Sequence, residues 1–240
     1  MSSELLNRRN FLKKAALVVG GSLIASPLLL ASPILNLDKK EEEEVSPNED
    51  LMREHGILRR IILIYREAIH RMNEKQELNP ALINKSATII RHFIEEYHEK
   101  LEENFLFPRF EKKGRLVDLV STLKIQHQAG RKLTDYILEA SSSKHFKSHN
   151  KNFIEVLYQF INMYESHAAR EDTVLFPAFK AIVSDSEYQE MGEQFEEEEH
   201  KRFGKDGFDG MVSQVEAIEK ELHIYDLAKF TPQSIFGEKI

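Results

Sequence analysis

Two histidine–glutamate pairs in matching local sequences are the side chains of this chain best suited to hold a metal ion. His98 with Glu102, and His167 with Glu171, each begin the same eleven-residue pattern, His-x-x-x-Glu-(acid)-x-x-Leu-Phe-Pro. On a helix, residues four apart lie on one face and one turn apart, so an imidazole nitrogen and a carboxylate oxygen can bind the same ion. The repetition predicts two helices that face each other across a pair of metal ions.

Two further histidines lie in register with these pairs. His55 and His127 each fall on an apolar stripe, on the face of an amphipathic pattern that points inward. Burying ionisable groups is unfavourable unless each has a partner, and metal ions supply one by binding neutral imidazole and deprotonated carboxylate directly. The predicted ligands are four histidines and two glutamates: His55, His98, Glu102, His127, His167 and Glu171.

The donor types decide which metals fit. The chain has no cysteine, which excludes zinc–thiolate sites, iron–sulfur clusters and thiol catalysis. Imidazole with carboxylate suits iron, and after it manganese or zinc. The two carboxylates carry two formal negative charges, fewer than two divalent cations supply, and a bridging hydroxide or oxide with exogenous anions would balance the remainder.

Long helices must position these residues. Apolar side chains recur at spacings of three and four along four stretches, residues 51–72, 80–110, 116–139 and 151–183. An acidic fifth helix is predicted over 186–222, interrupted near 204–210, and residues 224–232 are apolar enough to pack back as an extended tail. Without competing strand alternation, this pattern predicts an all-α, up-down four-helix bundle with an additional C-terminal helix and tail.

Simpler interpretations compete for each candidate ligand. A histidine and a glutamate four residues apart can form a surface pair, although the apolar neighbours of both repeats disfavour that. Taken alone, His55 or His127 would be a hydrogen-bonded core histidine. The common phase of all six groups favours metal binding.

The Leu-Phe-Pro ends of the two repeats are assigned to packing rather than chemistry. Their apolar side chains are predicted to fill the core and shield the site: Leu106, Phe107, Leu175 and Phe176. Pro108 and Pro177 predict a kink or a helix end, because proline lacks the amide hydrogen that a helix interior needs.

An acidic run near the predicted fifth helix offers further candidates. Such a run is usually a solvated face, yet one member can reach over the bundle as an extra ligand or as an acceptor behind a ligand. The residues in question are Glu196, Glu199 and His200. Four other histidines are predicted to be solvent-exposed: His70, His92, His145 and His149.

The composition describes a folded acidic protein. Hydrophobic residues make up 41% and charged residues 30% of the chain, as in globular domains. Removing residues 1–31, which carry a net charge of +3, changes the formal net charge from −7 to −10. An acidic body argues against nucleic acid or an anionic membrane surface as the main partner.

The N-terminus has the pattern of an export signal. Charged residues precede an apolar run from Ala15 to Ala31, and Arg8–Lys13 resembles a twin-arginine signal, which directs folded proteins across the bacterial inner membrane. An ordinary secretory signal and a retained membrane anchor are the alternatives. We predict an export signal over 1–31, an acidic linker over 32–50, the di-metal bundle over 51–183 and the accessory helix and tail over 184–240. The predicted location is periplasmic or exported, by way of the twin-arginine machinery, with inner-membrane anchoring as the alternative.

The order and spacing of these ligands resemble the hemerythrin-like family of HHE cation-binding domains. The resemblance covers residues 50–205 and rests on His55, the two His-x-x-x-Glu repeats and His127. It implies a four-helix bundle around a non-haem di-iron site, with Glu102 and Glu171 as bridging carboxylates. Members of the family bind dioxygen reversibly, sense oxygen or iron, respond to nitric oxide, or act on peroxide.

Two departures separate this sequence from the oxygen-carrying hemerythrins. Their third helix has two histidines one turn apart, whereas His127 is flanked at those spacings by Leu123 and Arg131. Their last ligand pair is a histidine followed by an aspartate five residues on, whereas Glu171 lies four residues after His167. One ligand fewer leaves more open coordination, or a position filled by water or by the acidic fifth helix. This disfavours a stable reversible oxygen carrier and favours reactivity toward peroxide or nitric oxide.

Three functions therefore stay open. The first is an exported di-iron protein that binds or senses dioxygen or nitric oxide. The second is an oxidoreductase that acts on peroxide or nitric oxide. The third is a metal-storage or structural module whose ions stabilise the bundle.

Overall fold

The computed structural model describes residues 45–142, 146, 150–232, 234–235 and 238–239. The predicted export signal, most of the predicted linker, and both His145 and His149 lie outside the described residues. Within the described part the chain is almost entirely helical, so the predicted all-α helical bundle is confirmed. None of the helices described is long and apolar enough to cross a membrane.

Helix α1, Pro47–Asn73, begins earlier than its apolar stripe suggests. Ser46 is its N-cap and accepts a hydrogen bond from the backbone N–H of Glu49 at 3.4 Å. Pro47 occupies the first turn, where a missing N–H has no consequence. Residues 47–50, which the predicted linker included, are therefore helical, because a serine–proline start outweighs the acidic composition of the segment.

Helix α2 is one continuous helix over residues 80–113 that alternates between α-helical and wider π-helical turns. Its segments are Pro80–Ile89 (α), Ile90–His98 (π), Glu99–Leu101 (α), Glu102–Leu106 (π) and Phe107–Lys113 (α). Gly114 ends it in the left-handed conformation at φ 63°, which is common for a glycine at a helix C-terminus.

Helices α3 and α4 complete the bundle. Helix α3 is Val117–Ser142, and α4 covers residues 151–180 as Lys151–Arg170 (α), Glu171–Leu175 (π) and Phe176–Lys180 (α). Asn150 caps α4 by accepting from two backbone N–H groups. Helix α1 packs on α2 and α4, and α3 packs on the same two helices, which gives the predicted four-helix arrangement.

The two Leu-Phe-Pro segments produce the same local structure. The N–H of Phe107 donates to the carbonyl of Glu102, and the N–H of Phe176 donates to that of Glu171, five residues back in each case. A wider turn accommodates the proline that follows, because proline lacks an N–H and its ring crowds the carbonyl four residues back. The sequence predicted either a kink or a helix end at Pro108 and Pro177. Both helices continue beyond their prolines, to Lys113 and Lys180, so the helix end is wrong.

A second helical pair lies outside the bundle. Helix α5, Asp185–Phe203, is capped by Ser184, and a short 3-10 turn, Gly204–Asp206, leads to helix α6, Gly207–Glu221. Both helices pack on α1. Phe203 of α5 contacts the rings of Phe93 and Tyr97 on α2.

The predicted packing of the C-terminal tail is wrong. Only Ile224 packs against the core, while Leu227 is 80% exposed and Phe230 is 52% exposed. Asp226 caps a 3-10 turn, Leu227–Phe230, by accepting from the N–H of Ala228, and this local turn directs the apolar side chains outward. A two-residue antiparallel pair follows, β1 Ser234–Ile235 with β2 Glu238–Lys239.

Candidate metal centre

All six predicted ligands are buried in the middle of the bundle, and none is more than 3% exposed. Potential ligand atoms of four of them lie within 4.8 Å of one another: Glu102, His127, His167 and Glu171. A second group with the same spread contains His55, His98 and Glu102. The structure therefore brings together the side chains that the repeats predicted, with Glu102 common to both groups.

The four-residue group is compact. The Nε2 atoms of His127 and His167 lie 3.2 Å apart. Nε2 of His167 is 3.1 Å from Oε1 of Glu171, and Nε2 of His127 is 3.4 Å from Oε2 of Glu102. Each histidine thus has a carboxylate oxygen and the other imidazole nitrogen as its nearest polar neighbours in the centre.

The other half of the centre is related but looser. Nε2 of His55 lies 3.4 Å from Oε2 of Glu171, and Nε2 of His98 lies 3.9 Å from Oε1 of Glu102. The rings of His55 and His98 have their centroids 4.7 Å apart. Glu102 and Glu171 therefore each approach a histidine in both halves, as expected of bridging carboxylates.

The second nitrogen of every histidine is held by a side-chain oxygen. The Nδ1 contacts are His55 with Asp172 at 2.7 Å, His98 with Glu54 at 2.8 Å, His127 with Glu103 at 3.1 Å and His167 with Gln126 at 2.9 Å. A carboxylate or amide oxygen only accepts, so each Nδ1–H donates. The lone pair of each neutral imidazole then lies on Nε2, which faces the centre.

The titration behaviour of these groups reflects burial and crowding. Burial lowers the pKa of His127 to about 4 and that of His98 well below its usual range. Burial also lowers the pKa of His55, but Asp172 and Glu171 outweigh it and raise that pKa to about 9. Burial and the nearby Glu171 carboxylate raise the pKa of Glu102 well above its usual range. Burial opposes ionisation of Glu171 too, yet His167 and His55 hold its pKa well below the usual range.

The cluster fits a bound cation. Within the described residues, none of the four carboxylate oxygens of Glu102 and Glu171 accepts a hydrogen bond, although all four are buried. The Nε2 lone pairs of His127 and His167 face each other at 3.2 Å, an arrangement that repels without a positive charge between them. Two ligands bonded at about 2.1 Å and at right angles to each other would be about 3 Å apart.

The residues around the centre follow an internal repeat that sequence reasoning missed. Helix α1 carries Glu54-His55 with Arg59 one turn on, and α3 carries Gln126-His127 with Arg131 one turn on. The residue before each histidine accepts from a histidine of the neighbouring helix, as Glu54 does from His98. The shared pattern (Glu/Gln)-His-x-x-x-Arg was the available signal for these partners.

The second acid of each His-x-x-x-Glu repeat also acts across helices. Asp172 accepts from His55 and pairs with Arg59, whereas Glu103 accepts from His127 and pairs with Arg131. The phenylalanines of the repeats stack on the same two rings, Phe176 on His55 and Phe107 on His127, each with centroids 5.5 Å apart. The two halves of the centre are thus related by approximate two-fold symmetry.

The three additional candidates from the acidic run do not join this cluster. Glu196 is half-buried and His200 is exposed. Glu199 is buried, and it accepts from the N–H of Phe208 at 3.0 Å, next to the start of α6. Its carboxylate lies near those of Asp50 and Glu54, so it stands behind His98 rather than beside it. His70 and His92 are exposed, as predicted.

Tyr164 is a buried polar residue beside His167, in the His127–His167 half of the centre. Tyr164 donates to Glu99 at 2.9 Å, and its ring contacts that of His167 with centroids 5.7 Å apart. Arg131 binds the other oxygen of Glu99 at 2.7 Å. A Cβ atom on Gly130 would overlap the Tyr164 hydroxyl, so glycine is required for this approach. Burial raises the pKa of Glu99 well above its usual range.

The fold and the site together define a class of protein: a helical bundle with a buried histidine–glutamate cluster that could bind a metal cation. Comparison with known protein families leads to the same class. The model of the "Hemerythrin HHE cation binding domain" matches residues 46–179 and, a second time, residues 118–231. The chain belongs to this family. The starts of the two matches, residues 46 and 118, are as far apart as His55 and His127, which reflects the internal repeat.

Relatives of this chain occur in mycobacteria. An uncharacterized protein of Mycobacterium bovis and uncharacterized proteins of two strains of Mycobacterium tuberculosis are each 47% identical to it over 195 residues. The matched region covers 80% of this chain and 76% of each relative. No solved structure matches the chain.

Proposed function

We propose that this protein holds two iron ions in the bundle and binds or senses dioxygen or nitric oxide. The observation that supports the proposal most is the orientation of the four histidines, whose Nδ1 atoms are all engaged and whose Nε2 atoms face two buried carboxylates. The six ligands are His55, His98, Glu102, His127, His167 and Glu171.

Iron is preferred because the donors are imidazole and carboxylate and because hemerythrin domains usually bind iron. Four neutral imidazoles and two carboxylates also leave a surplus of positive charge on two divalent ions. Six side chains do not complete the coordination of two ions with six positions each. When bound, the iron ions would supply redox-active positions at which a small exogenous ligand can bind.

The surrounding residues would tune and protect those positions. Phe107 and Phe176 cover one face of His127 and His55 and exclude water from them. Asp172 and Glu103 hold Nδ1 protons and make the imidazoles more basic ligands.

A second function is favoured by the Tyr164–Glu99 pair. A buried hydroxyl that donates to a buried carboxylate at 2.9 Å, beside His167, can hold or pass a proton at the Tyr164 oxygen. An oxidoreductase acting on peroxide or nitric oxide would need such a group close to its metal ions. A metal-storage or structural role is the third candidate function.

Export forms part of the proposal. The Arg8–Lys13 segment supports a twin-arginine route to the periplasm, since a protein loaded with metal in the cytoplasm must cross the membrane folded. Replacing both arginines with lysine should retain the protein in the cytoplasm, as measured by fractionation of cells that express the full chain. Unchanged periplasmic recovery would contradict the route.

The deciding experiment is metal analysis with absorption spectra. The purified protein should contain about two irons per chain, with a near-ultraviolet spectrum that changes on oxidation. Reduced protein is then exposed to air, nitric oxide or peroxide. A spectral change that reverses when the gas is removed supports reversible binding, whereas consumption of excess peroxide supports the oxidoreductase. Zinc in place of iron would exclude both functions.

A further inference from the structure

The internal repeat changes charge at one position behind the histidines. Glu54 and Gln126 occupy equivalent positions of the repeat, each directly before a histidine of its own helix. Glu54 accepts from Nδ1 of His98 at 2.8 Å, and Gln126 accepts from Nδ1 of His167 at 2.9 Å. A carboxylate therefore stands behind His98, whereas a neutral amide stands behind His167.

Glu103, the acceptor behind His127, divides its charge among three donors. Its Oε1 lies 3.1 Å from Nδ1 of His127 and 2.7 Å from the guanidinium of Arg131, and its Oε2 pairs with Lys100. An oxygen that is shared with a guanidinium polarises an imidazole less, because part of its charge is already neutralised. His127 therefore has a weakened acceptor.

Asp172, the equivalent acceptor behind His55, keeps its contacts on separate oxygens. Its Oδ1 lies 2.7 Å from Nδ1 of His55, and its Oδ2 pairs with Arg59. Hydrogen bonds to an ionised acceptor are shorter and stronger than those between neutral groups, and this contact is shorter than the 3.1 Å between His127 and Glu103. The His55–His98 half thus has the stronger acceptor at both of its histidines.

The acceptor on Nδ1 affects the metal-facing atom through the imidazole ring itself. A stronger acceptor draws the Nδ1 proton outward and leaves more electron density on Nε2, which becomes a more basic metal ligand. Partners of this kind change metal affinity by about 10–100-fold when they are altered. His55 and His98 should therefore be better donors than His127 and His167.

Spacing favours the opposite order but is easily adjusted. The histidine–carboxylate pairs of the His127–His167 half are 3.1 and 3.4 Å apart, and those of the other half are 3.4 and 3.9 Å apart. Rotations within a rotamer well close gaps of this size, whereas no rotation gives an amide a charge. An ion must also displace a proton from His55, whose pKa is about 9. A divalent ion gains twice as much as that proton from the same carboxylates, so the order is kept.

We propose that the two metal positions are inequivalent: the His55–His98 half holds the ion that binds first and more tightly, and the His127–His167 half holds the second. Glu54 and Gln126 are the positioning residues that set this difference, each acting through a histidine. The inference rests on the proposed function, because it concerns the ions of the same centre. Across a range of about 10–100-fold in free metal concentration, the protein should hold a single ion, and the dinuclear centre forms above that range.

The test titrates the metal-free full chain, labelled with nitrogen-15 in its histidines, with Zn²⁺ and follows the ring nitrogens by NMR. The resonances of His55 and His98 should move with the first equivalent, and those of His127 and His167 with the second. Competition with a chromophoric chelator should give two dissociation constants that differ by about 10–100-fold. Equal constants, or earlier movement of the His127 and His167 resonances, overturn the proposal.

Gln126→Glu and Gln128→Glu are the matched pair of variants. Both add a carboxylate to α3, but Gln126 contacts Nδ1 of His167, whereas Gln128 is exposed. Gln126→Glu should tighten the weaker constant roughly tenfold, and Gln128→Glu should change neither constant. Equal effects of the two substitutions overturn the role of Gln126.

Glu54→Gln completes the comparison and should weaken the tighter constant roughly tenfold or more. Since Glu54 is fully buried and Gln126 is half-buried, Gln126→Glu decides the question even where Glu54→Gln does not fold. A chain that binds Zn²⁺ in this order but takes up no iron overturns the proposed function and leaves the inference standing, so the two failures are distinct.

Discussion

Asp172 on α4 accepts a hydrogen bond from Nδ1 of His55 on α1 at 2.7 Å, across 117 residues of sequence. The same carboxylate pairs with Arg59, one turn beyond His55. Each of the four predicted histidine ligands is thus oriented by a side chain of a neighbouring helix, and the bundle must be assembled before the centre can form.

Asp172→Asn should weaken metal binding by about 10–100-fold. The amide loses the charge that raises the basicity of His55, and it can present an N–H where the native residue only accepts. Metal affinity is measured by competition with a chromophoric chelator. Asp118→Asn, at an exposed aspartate of α3, is the control, and equal affinities in the two variants would show that Asp172 does not act on the site.

Gly130→Ala should destabilise the protein by about 1–3 kcal/mol, as overpacking does. The new methyl group overlaps the Tyr164 hydroxyl and displaces it from Glu99. Gly56→Ala in α1 has no heavy atom within 4 Å of its Cβ, so it should stabilise the helix by about 0.5–1 kcal/mol. Free energies of unfolding are obtained from urea titrations.

The two glycine substitutions test packing in opposite directions. Combining Gly130→Ala with Tyr164→Phe removes the overlapping oxygen and should restore part of the lost stability, a coupling that a double-mutant cycle measures. Independent, additive effects of the two changes would argue against the close approach of Gly130 and Tyr164.

The sequence predicted the fold and the buried ligand cluster because both depend on helical periodicity. The stripe through His55 and the repeat from His98 to Pro108 each report on one helix, and one helix suffices to place a side chain on its inner face. Helix limits depend on capping residues rather than on the apolar stripe. The Ser46–Pro47 start was missed because the acidic residues before it resembled a linker.

The side chains that accept hydrogen bonds from the histidine ligands could not be predicted from helical periodicity. Glu54 reaches His98 and Gln126 reaches His167 only through the pairing of different helices. Spacing within one helix carries no information on that pairing. The π-helical turns were hidden as well, because a proline in a helix signals a disturbance without specifying whether the helix ends or widens.

Metal binding should stabilise the fold. An ion that binds only the native state adds about 2.7 kcal/mol at a free concentration of 100 times its dissociation constant. Ferrous iron under anaerobic conditions should therefore raise the melting temperature of the metal-free protein, and a chelator should reverse the change. His167→Ala should abolish most of this shift, whereas His92→Ala, at an exposed histidine, should retain it.

His127 and His55 should make opposite contributions to the pH dependence of the stability of the metal-free protein. The pKa of His127 is about 4 when folded, against 6.5 in an unperturbed histidine. Between these values the unfolded chain binds more protons, so stability falls as the pH falls, and His98 acts in the same direction. His55 acts oppositely, since its pKa is raised to about 9 and its contribution is lost as the pH rises through that value.

For His127 alone, the loss between pH 6.5 and 4.5 should be about 2 kcal/mol in the free energy of unfolding. His127→Gln removes this titration and should flatten the acid side of the profile by that amount, while His70→Gln, at an exposed histidine, should leave it unchanged. Urea titrations of the metal-free proteins across this range make the comparison. An acid limb as steep in His127→Gln as in the parent would mean that His127 is not held neutral by burial, and that its Nε2 is open to protons before any metal arrives.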